Sequence, residues 1–211
     1  MKYLKMLGLA AVAATALMAF GAGSASATEL CKVTESPCSA ANMYGPGTLY
    51  HAHLKAGTEA VFTAGFATTK CSQQTLELEQ TTTGGPNETV KTNIKAITFP
   101  EASCNCKYTV TAQGSLEVHT DDPTKVTDHG TVTGTGTRYT INCSGVSCIF
   151  GTEVTDVGTL DGSATDPILT TSTQAKYFTG DASNFTCTLG SGTASWKAEH
   201  TFTKPLGLFV I

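Results

Sequence analysis

Gln74-Thr75-Leu76-Glu77-Leu78-Glu79-Gln80-Thr81-Thr82 alternates apolar and polar residues at its centre. Side chains of a strand point to opposite faces in turn, so Leu76 and Leu78 share one face and Glu77 and Glu79 the other. The pattern predicts a strand with one buried and one wet face.

The same rhythm continues in both directions. Upstream, residues 48–54 (TLYHAHL) alternate, Lys55-Ala56-Gly57-Thr58 reads as a turn, and residues 59–66 read as its return strand. Downstream, Gly84-Gly85-Pro86-Asn87 reads as a turn into residues 88–99. There the apolar parity switches, with Val90, Ile94 and Ala96 even but Ile97 and Phe99 odd, which predicts a β-bulge near Ala96. Residues 106–120 place Cys106, Tyr108, Val110 and Ala112 on one face, break at Gly114, and resume with Leu116 and Val118. Asp121-Asp122-Pro123 makes a turn. Residues 129–142 form a strand region, 143–148 a tight excursion, and 150–170 short strands and loops. Residues 193–204 put Trp196, Ala198, His200 and Phe202 on one face, and residues 206–211 form an apolar terminal strand. About nine or ten strands with turn signals between them predict a single all-β, antiparallel sandwich or barrel-like domain.

Composition agrees. Past residue 27, Thr is the commonest residue and Gly the next, and no long stretch has helical periodicity. The first residues stand apart. Lys2 and Lys5, an apolar run from Met6 to Phe20 and the small-residue end Ala25-Ser26-Ala27 make a signal-peptide helix over residues 1–27. Removing those 27 of 211 residues leaves 184, read as one domain over 28–211 with no membrane span. The formal charge of −4 becomes −6 without Lys2 and Lys5, which argues against nucleic acid as a partner.

All eight cysteines, Cys31, Cys38, Cys71, Cys104, Cys106, Cys143, Cys148 and Cys187, lie beyond residue 27. An even count behind an export signal predicts four disulfides in an oxidising space, secreted or in the cell envelope. The short separations predict Cys31–Cys38 and Cys143–Cys148 as local bridges. The other four are left as Cys71–Cys104 with Cys106–Cys187, or Cys71–Cys106 with Cys104–Cys187.

Few residues suggest chemistry. His51 and His53 share a strand face and could ligate one metal together with Glu59. Gly45, His51-x-His53, Glu59 and Gly65 resemble the first metal motif of cupins, with Glu59 one position too far from His53 and no second motif. The competing reading makes Tyr50, Ala52 and Leu54 the core face and leaves both histidines in solvent. His119 and His129 are expected on the surface. His200 is expected as a hydrogen-bonded core histidine. Asp156, Asp161 and Asp166 read as turn residues rather than a calcium loop. Tyr44, Tyr50 and Trp196 are candidates for stacking on a sugar, against a core role for Trp196. No G-x-S-x-G elbow and no cofactor loop is present, so no catalytic residue and no cofactor is nominated.

Leu30-Cys31-Lys32 through Pro37-Cys38, Tyr44-Gly45-Pro46-Gly47-Thr48, Leu54 to Val61 and Thr193 to Ala198 resemble a group of uncharacterised exported proteins of high-GC Gram-positive soil bacteria. The resemblance implies one exported β domain and assigns no functional residue. The sequence thus leads to a non-catalytic binding or surface-structural module. Its alternatives are a cupin-like metal enzyme and a carbohydrate-binding module for cell-wall or extracellular polysaccharide.

Overall fold

The computed structural model describes residues 27–65, 67–86, 88–120, 128–178, 187 and 193–211. The signal-peptide helix lies outside them except for Ala27, as does the Asp121-Asp122-Pro123 turn. The described strands are β1 (Ala27–Cys31), β2 (Leu49–Leu54), β3 (Ala60–Ala64), β4 (Ala67–Cys71), β5 (Thr75–Gln80), β6 (Gly84–Pro86), β7 (Val90–Thr98) and β8 (Lys107–Ala112). They continue as β9 (Ser115–Thr120), β10 (His129–Thr135), β11 (Arg138–Cys143), β12 (Val146–Gly151), β13 (Val154–Asp161), β14 (Ile168–Phe178), β15 (Thr193–Lys204) and β16 (Phe209–Val210).

Eight of them close into a barrel. Around the ring run β2, β5, β7, β9, β10, β13, β14 and β15, each antiparallel to the next, and β15 pairs back onto β2. That is also their order along the chain, so the ring is an up-and-down meander with excursions between its strands. Closure removes the open edges that a sandwich would leave. The chain is therefore the barrel-like form of the all-β prediction.

One end of the barrel is plugged. Here β1 pairs with β6 on one side and with β16 on the other, and the Gly84–Pro86 stretch expected to be only a turn supplies a short strand. Gly84 is required there: its φ is +81°, and a Cβ would lie 2.0 Å from the Thr28 carbonyl oxygen. Leu30, Leu208 and Val210 thereby enter the barrel core beside Val90, Val118 and Val132.

The other end carries a second lobe, built from β3–β4, β8 and β11–β12. Its frame is the β14–β15 ribbon, which pairs over nine residues from Ile168↔Thr201 to Lys176↔Thr193. Along one edge of the ribbon lie β13 and then β12, and along the other β2 and then β3. The expected hairpin of residues 48–54 with 59–66 is thus not formed. Both segments run antiparallel to β15, so Lys55–Thr58 carries the chain onward along its edge instead of folding it back. Phe62, Ile141, Phe150 and Ala175 fill this second core.

The bulge expected near Ala96 is present. Glu77 pairs with Ala96 and Leu78 with Ile94, leaving Lys95 as the extra residue.

The bridges are Cys31–Cys38, Cys71–Cys104, Cys106–Cys143 and Cys148–Cys187. The first matches the sequence reading, and Cys71–Cys104 matches one of its alternatives. Cys143–Cys148, Cys106–Cys187, Cys71–Cys106 and Cys104–Cys187 are corrected. Cys143 stands opposite Val146, and Cys148 opposite Ile141, in the β11–β12 hairpin. That places the two cysteines on a diagonal, roughly 7–8 Å apart and beyond disulfide reach. On the other side of β11, Asn142 pairs with Lys107, which brings Cys143 beside Cys106 with Cα atoms 4.9 Å apart. Cys148 is left for Cys187.

Candidate functional site

The outward face of the barrel carries the proposed metal ligands but does not assemble them. His51 and His53 point away from the core, as Tyr50, Ala52 and Leu54 are buried. His51 Nδ1 lies 3.5 Å from Glu77 Oε1, and the Glu59 carboxylate accepts from Lys70 Nζ at 2.8 Å. Among the described residues, one group of His, Cys, Asp and Glu has ligand geometry: Glu29, Cys31 and Cys38, whose two sulfurs are already bonded to each other.

Two of the three candidates for a stacking platform lie inside the protein. Tyr44 and Tyr50 are only 6% and 2% exposed, packed edge-to-face with ring centroids 5.8 Å apart. Tyr44 donates its hydroxyl to the Gly207 carbonyl at 2.7 Å, and Tyr50 donates to Gln80 Oε1. Burial pushes both phenols above their ordinary pKa, and in Tyr50 the neighbouring Tyr44 adds to the shift. Each ring satisfies its polar tip inside the protein, as buried tyrosines do. Trp196 is half-buried among Phe99, Tyr108 and Tyr139.

The feature with ligand-binding character lies where the barrel meets the second lobe, whose walls form a largely apolar pocket of about 100 Å³. Leu76, Ile94, Leu116, Val157 and Leu169 come from barrel strands, and Phe99, Val110 and Tyr139 from the second lobe and its approach. Gly134 on β10 lets Val157 pack close on this wall, since a Cβ there would meet Val157 Cγ1 at 2.7 Å.

Two polar atoms on this wall have no partner. His200 is 2% exposed, and its Nε2 lies 3.1 Å from Gln74 Oε1, while its Nδ1 makes no hydrogen bond. Thr152 Oγ1 is likewise buried without a partner. Burial lowers the His200 pKa to about 4, and nearby His53 adds to the shift. The Leu169 backbone, a hydrogen-bonding neighbour of the ring, opposes it. His200 is therefore neutral at neutral pH. Which partner donates in the contact between Nε2 and the Gln74 amide follows from the ring tautomer.

The expected core role of His200 is seen, but its partner and the cavity are not found by the sequence reading. The signal for Gln74 is its parity: it shares the core-facing register of Leu76 and Leu78 despite being polar. Thr152 has no such signal, because residues 150–170 read only as short strands and loops with no assigned faces.

Phe99 also lines a second recess, together with Glu101, Cys104, Lys107 and Tyr108. Its ring stacks on Tyr108 at 4.5 Å between centroids and lines both that recess and the pocket above. Among the described residues no helix is long and apolar enough to cross a membrane. Comparison with protein-family models, curated proteins and solved structures returned no match.

Proposed function

We propose that this chain is an extracytoplasmic, non-catalytic binding protein that carries a small, largely apolar molecule inside its barrel. The observation that carries this reading is the largely apolar pocket of about 100 Å³ at the end of a closed eight-stranded ring, where it meets the second lobe. Barrels of eight strands are just wide enough to be filled by side chains or to hold one small ligand. A dry apolar cavity of roughly 150 Å³ takes up benzene or xenon, so this space is on the scale of a single ring. Four disulfides support an oxidising compartment and a wall that is ordered before binding. The state of His200 supports carriage over catalysis. Held by an amide rather than a carboxylate and neutral down to low pH, it is a weak proton acceptor at the pH where a general base must work.

Toluene and benzene titrated into the protein test the reading. The expected result is saturable binding, a raised Tm, and methyl NMR shifts confined to Leu76, Leu116, Val157 and Leu169. Absence of binding by both probes would overturn it. Leu116→Phe should fill the space and abolish uptake.

A further inference from the structure

We infer that the pocket takes a straight-chain amphiphile, an alkyl chain with one small uncharged head group, whose tail points down the barrel axis toward the plug. This rests on the carrier reading and assigns the chemical class and the orientation of its ligand.

A second, smaller space of about 20 Å³ lies in the barrel core. The inward-facing residues of the strands place the two spaces one above the other along the barrel axis. Leu76 lines the pocket, and Leu78, the next core-facing residue of β5, lines the smaller space. Gly134 and Val132 stand in the same relation on β10, and His200 and Phe202 on β15. The smaller space is the one nearer the plug, since Leu30 and Leu208 line it and a Cβ on Gly130, two residues before Val132, would lie 2.9 Å from Val210 Cγ1. Two residues of strand span roughly 6.8 Å, so the spaces are a single layer of side chains apart. Among the described residues, only Leu116 and Leu169 line both, and these two leucines form the partition.

The two ends of this stack differ. Every residue lining the smaller space is buried, so the end at the plug is blind. The wall of the pocket includes the part-exposed Phe99, Thr173 and Trp196, which puts its mouth toward the second lobe. A ligand therefore enters from the lobe with its apolar end leading. The interior of an eight-stranded barrel is just wide enough for side chains, so apolar space continued along its axis suits a chain better than a branched or fused-ring body. Among the described residues no Asp, Glu, Lys or Arg lines the pocket, and its polar members are Gln74, His200 and threonines. A charged head group would lose its water without gaining a counter-ion, a cost that an uncharged hydroxyl or carbonyl largely avoids. Each methylene taken up strengthens binding about four-fold until the tail reaches Leu116 and Leu169.

The test is a calorimetric titration of the disulfide-bonded protein with the n-alkanols from butanol to decanol, beside toluene. Affinity is expected to rise about four-fold per added carbon and then to level off where the chain meets the partition. Leu116→Ala should join the two spaces and move that limit to longer alkanols; the same limit in a folded variant would overturn the inference. NOE spectra of the unmutated protein with its tightest alkanol give the orientation without any variant, so they decide the matter even if Leu116→Ala folds poorly. The terminal methyl is expected beside the Leu116 and Leu169 methyls, and the carbinol protons beside Phe99 or Trp196. The reversed pattern, or an affinity independent of chain length, would overturn it. Toluene binding without uptake of any alkanol would overturn the ligand class while leaving the carrier reading intact. Failure of toluene and the alkanols alike would overturn the carrier reading and this inference with it.

Discussion

At the scale of a residue, His200 couples the interior to solution pH. Its pKa is about 4 when folded, against an ordinary value of 6.5, so between those values the unfolded chain binds a proton that the folded one refuses. Stability attributable to this residue is complete above pH 6.5 and is lost as the pH falls toward 4. The gap corresponds to roughly 3 kcal/mol at most. Denaturant titrations at several pH values from 7 to 4 should show this fall, and His200→Leu should flatten it. An unchanged slope in the variant would show that other groups dominate. The exposed pairs on the barrel's outer face are a different matter. Lys95–Glu79 at 2.8 Å and Lys91–Glu117 at 3.3 Å are solvent-facing cross-strand contacts, screened by water and salt.

At the scale of elements, the bridges decide which strands can separate. Cys106–Cys143 joins β8 to β11 across 37 residues of chain, whereas Cys31–Cys38 closes only seven. In the loop-entropy account the first contributes roughly 4 kcal/mol and the second about 2.5 kcal/mol. The double variant Cys106→Ala/Cys143→Ala should therefore lower the guanidinium midpoint more than Cys31→Ala/Cys38→Ala. The reverse order would mean that local geometry outweighs loop length. What was legible at this scale was whatever depends on neighbours in the chain. Leu76 and Leu78 mark the buried face of β5, and the parity switch after Ile94 marks the bulge. The Cys143 error has the same origin. Five residues of separation suggest a bridge, but register, which depends on pairing partners, places Cys143 against β8. The collinear placement of β2 and β3 along β15 was hidden for that reason too.

At the scale of the whole molecule, two cores share one ribbon. Leu169 and Phe202 lie in the barrel core, while Ala175 and Ala194 lie in the core of the second lobe, all on β14 and β15. Neither core can dissolve without loosening strands of the other, so calorimetry should show one unfolding transition with matching calorimetric and van't Hoff enthalpies. Two resolved transitions would contradict a shared ribbon. The all-β class was readable from Thr content and alternation, but the barrel was not. Its closure rests on β15 meeting both β14 and β2, and the second of these pairs residues about 150 positions apart. The cavity lay beyond reach for the same reason, since Gln74, Thr152 and His200 come from separate strands or turns and meet only after closure. The plug has a mechanical side. Glu29 and Ile211 exchange backbone hydrogen bonds of 2.9 and 3.0 Å, and the two strands then run in opposite directions from that pair. A pull on Thr28 against Ile211 loads those bonds one rung at a time, as a zipper is opened, instead of shearing them together. The latch is therefore weak to tension even though its side chains are among the best buried, and force applied through the two strand ends would uncap the barrel long before tearing its wall.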